Sequence, residues 1–301
     1  MKNQLKKINF NHSFIFFLFC NMFSLTILKF ESLVFSPLFC LLLILSIGVS
    51  HGSLDHIKGK KLLKIFEIKN MYIFYLLYIF IASTVIVLWT IIPSVSLTIF
   101  LIVASFHFGK EDTQFLIAEN SYYNQLLFFL KGLLVILAPM FFHFEETISI
   151  FKLLLIDNES FYRTLDFIEM NNLILFGIIL STLSSILLFT KEFELKKFTI
   201  FLDYFSILII NYYLSPLMAF TIYFCFLHST RHGITLMHEL DENDLKNGLK
   251  IFIKKALPLT ILTATFCLLG LYLLNNSYNF DSSILKVIFI GLASLTFPHI
   301  L

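Results

Sequence analysis

The residues that could do chemistry are histidines, and they fall in four short segments of a chain otherwise poor in polar groups. The first is Gly48-Val-Ser-His51-Gly-Ser-Leu-Asp55-His56, which closes a long apolar run and opens a lysine-rich one. The others are Ser105-Phe-His107-Phe-Gly109, the pair His228 and His232 in His-Ser-Thr-Arg-His-Gly, and His299 in Phe-Pro-His. His228 and His232 lie four apart, so on a helix their imidazoles share a face and can grip one ion. His51 and Asp55 repeat that spacing, while His56 points about 100° further round the helix. Imidazoles from several helices facing one core are a known way of holding a metal, and neutral imidazole suits iron, copper, zinc and nickel alike.

A single histidine at a helix end more often bonds to backbone or sits at the headgroups than binds a metal. Six at one level argue otherwise, because ionisable groups in hydrocarbon require partners. His228 with His232, then His51 and His107, are the expected ligands; His56 and His299 stand between ligand and supporting partner. His12, His143 and His238 read as surface or interface. Carboxylates beside metal-bound histidines accept the second ring N–H. Asp55 is the first candidate for that part and Asp203, isolated in Phe-Leu-Asp-Tyr-Phe, the next. Glu111 and Asp112, just past His107, come third, although plain solvated charge is the favoured reading for both, and Arg231 reads as a headgroup anchor. Phe106, Phe108, Tyr223, Phe224 and Phe226 flank the histidines and are candidates for lining an apolar substrate site.

These residues must be positioned by membrane helices. The 301 residues are 58% hydrophobic and 14% charged, too little charge to cover a soluble fold of that length. The apolar runs are continuous rather than alternating, which predicts an all-α bundle and not a barrel. Ten spans are expected, at 13–29, 33–52, 71–92, 95–109, 125–142, 172–190, 198–213, 215–231, 256–274 and 284–301, forming one integral-membrane domain over 1–301. With the N-terminus inside, inner segments hold 17 of the Lys and Arg residues and outer segments 3. That bias predicts a multi-pass protein of the cytoplasmic membrane with both termini cytoplasmic. It also places all six histidines at the inner level, although the lysine count never used them. The stretch 143–171 is expected outside with a short surface helix near Glu145–Leu155, and 233–255 as one interfacial amphipathic helix. The four cysteines lie singly in apolar runs and give no pairing or zinc spacing, and nothing points to nucleic acid.

The motifs His-Gly-Ser-Leu-Asp-His, Phe-His-Phe-Gly-Lys-Glu-Asp, His-Ser-Thr-Arg-His-Gly and Phe-Pro-His, in this order, resemble the Brp/Blh family of membrane β-carotene 15,15′-dioxygenases. They run from residue 48 to residue 299. The resemblance implies Fe(2+) held by His51, His107, His228 and His232; Asp55, His56, His299 and Asp203 stay, on the reading of the residues, supporting groups or additional ligands. It implies O2 as co-substrate, β-carotene entering from the bilayer, cleavage of its central double bond to two retinal, and hand-over of retinal to a microbial rhodopsin. Three rivals are open. A di-iron desaturase or hydroxylase would show adjacent His-His pairs and about eight histidines. A metal or proton transporter would place polar residues through the membrane depth. A degenerate relative would bind carotenoid without cleaving it.

Overall fold

The computed structural model describes residues 2–29, 36–117, 121–191 and 193–300, without the side chains of Lys2, Asn3 and His51. Every regular element among them is helical. In hydrocarbon a helix satisfies its own backbone, and these apolar runs have no other way to do so. Among the described residues eight helices are long and apolar enough to cross a membrane, so the chain is a multi-pass membrane protein.

In chain order, α1 (Lys2–Lys29) is followed by a composite helix from Pro37 to Ile65. That helix consists of α2 (Pro37–Leu43), a π-helical turn (Ile44–Gly48), a 3-10 stretch (Val49–Leu54) and α3 (Asp55–Ile65). Ser36 accepts from the Leu38 N–H and Pro37 opens the first turn, a start signal that fixes where α2 begins. Next come α4 (Tyr72–Ile91), α5 (Pro93–Glu111) and α6 (Tyr122–Phe142). The segment expected to hold one surface helix holds two, α7 (Phe144–Leu153) and α8 (Glu159–Met170). Asn158 caps the second, a start that the hydropathy of the segment does not reveal. Then follow α9 (Leu173–Thr190) and α10 (Thr199–Tyr213). A second composite helix joins α11 (Pro216–Ile222), a π-helical stretch (Tyr223–Ser229) and α12 (Thr230–Leu240). The chain closes with α13 (Leu245–Leu274) and α14 (Phe280–Ile300).

Eight of the ten expected spans coincide with long apolar helices among the described residues; the other two spans and the amphipathic stretch differ. The spans at 198–213 and 215–231 correspond to α10, of 15 residues, and to the composite helix, and neither is among the eight long apolar helices. The stretch 233–255 is not one interfacial helix. Its first half prolongs the helix that carries His228 and His232, and its second half is the start of α13. The break falls at Asp241–Asp244, where the Asp241 carboxylate accepts from the Asn243 and Asp244 N–H groups and Asp244 caps α13.

α5 packs on α6, α6 on α9, α1 on α10 and α14 on α4. The α5–α6 crossing rests on Gly109 and Gly132: a Cβ on Gly109 would overlap the Phe128 carbonyl, and one on Gly132 the Ser105 carbonyl. Small residues let membrane helices approach to backbone contact. That contact lies within half a turn of His107, so the crossing also fixes the height of this histidine. Of the spanning helices α14 is the most enclosed, while α4 and α13 turn most of their surface outward. Leu76 and Phe80 on α4 and Phe266 on α13 are well exposed, as a lipid-facing surface requires.

A candidate metal centre among the histidine-bearing helices

The two π-helical stretches stand side by side and frame the centre. A π-helical turn inserts one residue into an α-helix, misaligns its carbonyls and re-aims the side chains that follow; such turns gather at functional sites. Here three carbonyls of these stretches accept from side chains. The Ser229 hydroxyl donates to the Gly48 carbonyl (3.2 Å), the Thr230 hydroxyl to Cys225 (2.9 Å), and the His12 ring to Phe226 (2.8 Å). His12 is thus a backbone partner within the helix packing, not a surface group. Gly48 is required at this contact, since a Cβ there would stand 2.5 Å from the Phe224 ring.

His228, at the end of one π stretch, and His232, one turn on in α12, are both buried. His107 on α5 and His299 on α14 meet them. The ring centres of His107 and His228 are 5.0 Å apart, those of His107 and His299 5.1 Å, and those of His232 and His299 5.6 Å. With a metal–nitrogen bond of about 2.0–2.1 Å, two imidazoles on one tetrahedral ion have ring centres about 5 Å apart. The rings therefore stand at the spacing of coordinated imidazoles, although no three His, Cys, Asp or Glu groups among the described residues are drawn in closely enough to hold an ion. The expected ligand His51 lies in the 3-10 stretch between the π turn and α3, and its side chain is outside the described residues.

Three of the four rings rest on carboxylates. His228 Nδ1 donates to Asp112 (3.1 Å), His232 Nδ1 to Glu111 (2.9 Å) and His299 Nδ1 to Asp55 (2.7 Å). A carboxylate that accepts from Nδ1 fixes the tautomer in which Nε2 carries the lone pair, and it orients the ring. This donor set fits a divalent cation: neutral imidazoles for ligation, with carboxylates behind them to balance the charge. Asp55 also accepts from the Tyr78 hydroxyl (3.3 Å), and Asp112 from the Tyr223 hydroxyl (2.6 Å).

The expectations for individual residues divide here. Asp55 supports His299. Asp203 pairs with Arg231, whose side chain is 1% exposed. Arg231 is therefore no headgroup anchor. His56 turns to its own backbone, bonding the Ser53 carbonyl at 3.1 Å. Glu111 and Asp112 are not solvated charge: α5 runs two residues past the expected end of its span, which carries them under His232 and His228. Part of the signal was present, since Glu111 follows His107 by four residues and shares its side of a helix. His238 is buried, and His143 stands 3.7 Å from Glu146 at a helix start.

Of the aromatic candidates, Phe108 packs edge-on against His228 with ring centres 4.8 Å apart, and Phe224 stacks on the same imidazole at 5.9 Å. Tyr223 closes the third side. These rings keep water from His228. Phe106 instead lines a cavity of about 410 Å³ together with His107, His299, Glu111 and Asp55, the apolar Leu62, Ile65 and Phe74, and the charged Lys58 and Lys110. Phe226 points to α1, where it meets Phe19.

A family model described as beta-carotene 15,15′-dioxygenase matches residues 42–301. The chain is also 28% identical over 266 residues to the beta-carotene 15,15′-dioxygenase of uncultured marine bacterium 66A03, covering 87% of this chain and 90% of that one. No solved structure matches. All four histidine segments lie inside the region that the family model covers, and the match spans every helix from the middle of α2 onward; the chain belongs to the β-carotene 15,15′-dioxygenase family.

Proposed function

We propose that the chain cleaves the central 15,15′ double bond of β-carotene to two molecules of retinal at this histidine centre, with Fe(2+) as its metal. One C=C bond breaks and two C=O bonds form, with O2 as the oxidant. The observation that carries the metal assignment is the set of three histidine–carboxylate pairs converging on His107. We assign His51, His107, His228 and His232 as the ligands, with His299 between His107 and His232 in the same ring cluster. The iron, when bound, would supply the spin-allowed route to O2 that a closed-shell alkene lacks.

The chain's own residues do the rest. Asp112 and Glu111 hold the Nδ1 protons of His228 and His232, so the Nε2 lone pairs are presented without a change of tautomer. Phe108, Tyr223 and Phe224 shield His228 from water. The cavity beside His107 has an apolar side, Leu62, Ile65, Phe74 and Phe106, on which a hydrocarbon can lie so that shape selects which bond reaches the centre, while Lys58 and Lys110 also line it. Phe106 is the aromatic residue of that side next to His107 in the chain. The chain is one integral-membrane unit of the cytoplasmic membrane with both termini inside, and its retinal serves a rhodopsin-type acceptor.

The test is pigment chromatography of β-carotene-producing bacteria that express the chain or its His232→Ala variant, together with metal analysis of the purified proteins. Retinal from the wild type alone, with one iron per chain, is the expected result. β-Carotene left intact by folded, iron-loaded protein would refute the substrate, and two irons per chain would favour the desaturase-like chemistry.

A further inference from the structure

Arg231 and Asp203 form the most deeply buried ion pair among the described residues, each side chain 1% exposed. Arg231 stands three residues after His228 and one before His232. Its Nη1 donates to one Asp203 oxygen at 2.6 Å and its Nη2 to the other at 3.0 Å, a forked arrangement that a single ammonium cannot reproduce. The Ser13 hydroxyl of α1 donates to the Asp203 carboxylate (2.7 Å), and the Arg231 Nη2 lies 2.6 Å from the same hydroxyl. Three helices, α1, α10 and α12, are thereby joined at one point.

The same guanidinium makes a fourth contact: Nη1 donates to the backbone carbonyl of Asp112 at 3.1 Å. Asp112 is the residue at which α5 ends, where helix carbonyls lack an intrahelical partner and favour a cation. Its side-chain oxygens are both engaged, one by His228 and the other by Tyr223. Asp112 is therefore held at four atoms: both side-chain oxygens, its N–H by the Phe108 carbonyl of its own helix (3.0 Å), and its carbonyl by Arg231 from outside the helix. A rotation of this residue would withdraw the acceptor from His228. Ordinary burial economics does not explain the pair, because apolar residues of similar volume usually serve stability equally well.

We propose that Arg231, neutralised by Asp203, is a positioning residue: it clamps the end of α5, and through Asp112 sets the orientation and tautomer of His228. Arg231 touches neither ligand position nor substrate; it acts through Asp112. The inference rests on the reading of the histidines as a metal centre.

The test uses the full chain in nanodiscs, loaded with Co(II), whose visible bands report ligand geometry independently of turnover. The variants are Arg231→Lys, the double change Arg231→Met with Asp203→Leu, and Ser13→Ala; affinity is read by chelator competition and stability by thermal unfolding without metal. The double variant removes both members of the pair and so leaves neither charge buried without its partner; its metal-free protein should unfold near the wild-type temperature. It should nonetheless bind cobalt roughly 10- to 100-fold more weakly, with shifted bands, as loss of an outer partner of a ligand does. Arg231→Lys should fall between the two. Wild-type affinity and bands in the stable double variant would overturn the proposal and leave the pair a packing element. Should the double variant not fold, Ser13→Ala decides: weaker cobalt binding supports the clamp, and unchanged affinity with unchanged bands overturns it. A wild-type chain that binds no cobalt would refute the metal reading itself, and the clamp with it.

Discussion

Replacing Asp112 by Asn should cost the centre most of its metal affinity while leaving the fold intact. The substitution keeps the shape of the side chain and removes its charge. In the native chain Asp112 Oδ1 accepts from His228 Nδ1 at 3.1 Å, in a position where the carboxyl side chain is 4% exposed and that of His228 0%. A hydrogen bond to a charged group is worth about 1.5–3 kcal/mol. At 1.36 kcal/mol per factor of ten, that predicts roughly a 10- to 150-fold weaker metal affinity. The amide adds a second effect, because its NH2 can donate to Nδ1. That would place the ring proton on Nε2, the nitrogen assigned to the metal.

The three histidine–carboxylate pairs also permit an internal ranking. The carboxylate side chains are 4% exposed for Asp112, 10% for Asp55 and 19% for Glu111. Water can take the place of a lost acceptor only where it can enter, so Asp112→Asn should be the most damaging and Glu111→Gln the least. The assay is chelator-competition titration of Fe(2+) and Co(II) on the purified proteins, with thermal unfolding as the control for folding. Tyr223→Phe serves as the shape control: it removes the 2.6 Å hydrogen bond to the other Asp112 oxygen but leaves the charge, for about 0.5–1.5 kcal/mol. Folded Asp112→Asn protein that binds metal within twofold of wild type would refute the reasoning. So would a ranking in which Glu111→Gln is the most harmful.

Three further outcomes are expected. Gly132→Ala would drive a Cβ into the Ser105 carbonyl, so α5 and α6 must separate, and thermal unfolding should show a loss of at least about 2–3 kcal/mol; a variant as stable as wild type would contradict the close crossing. Phe106→Trp narrows the cavity beside His107 and should lower kcat/KM for β-carotene by about tenfold with stability changed by no more than ~0.5 kcal/mol, whereas an unchanged kcat/KM would remove this cavity from the substrate path. A fluorescent protein fused to the C-terminus, which matures only in the cytoplasm, should be bright; a dark fusion, with an active periplasmic reporter at the same place, would invert the topology.

Much of this architecture was legible in the sequence because the bilayer leaves few choices. A continuous apolar run must be a helix there, so 71–92 and Tyr72–Ile91, or 172–190 and Leu173–Thr190, agree almost residue for residue. What hydropathy cannot register is an insertion inside a helix. The π-helical turns at Ile44–Gly48 and Tyr223–Ser229 leave the apolar runs unbroken, yet they re-aim His228 and bring Gly48 against Phe224. Helix ends were the other weak point. Ending the fourth span at residue 109 turned Glu111 and Asp112 into solvent-facing charge, and two more residues of helix turn them into the partners of His232 and His228.

The placement of Arg231 and Asp203 shows a more general gap. Each is an isolated charge in an apolar stretch, and each was read alone, one as a headgroup anchor and the other as a partner for histidine. Intramembrane charges pair with one another. A lone cation in one apolar stretch and a lone anion in another are therefore a prediction of contact, and 28 residues of separation do not weaken it, since neighbouring helices bring such positions together. The same rule applied to the histidines finds their carboxylates. His107, His228, His232 and His299 come from three separate stretches of chain, and the acids that serve them, Asp55, Glu111 and Asp112, come from two. No helix carries a complete histidine–carboxylate pair of this centre, so the pairs exist only when α3, α5, α12 and α14 are assembled. Metal affinity, helix packing and the Arg231–Asp203 contact are consequently one property of the fold. A substitution at the α5–α6 crossing should therefore weaken metal binding as well as stability.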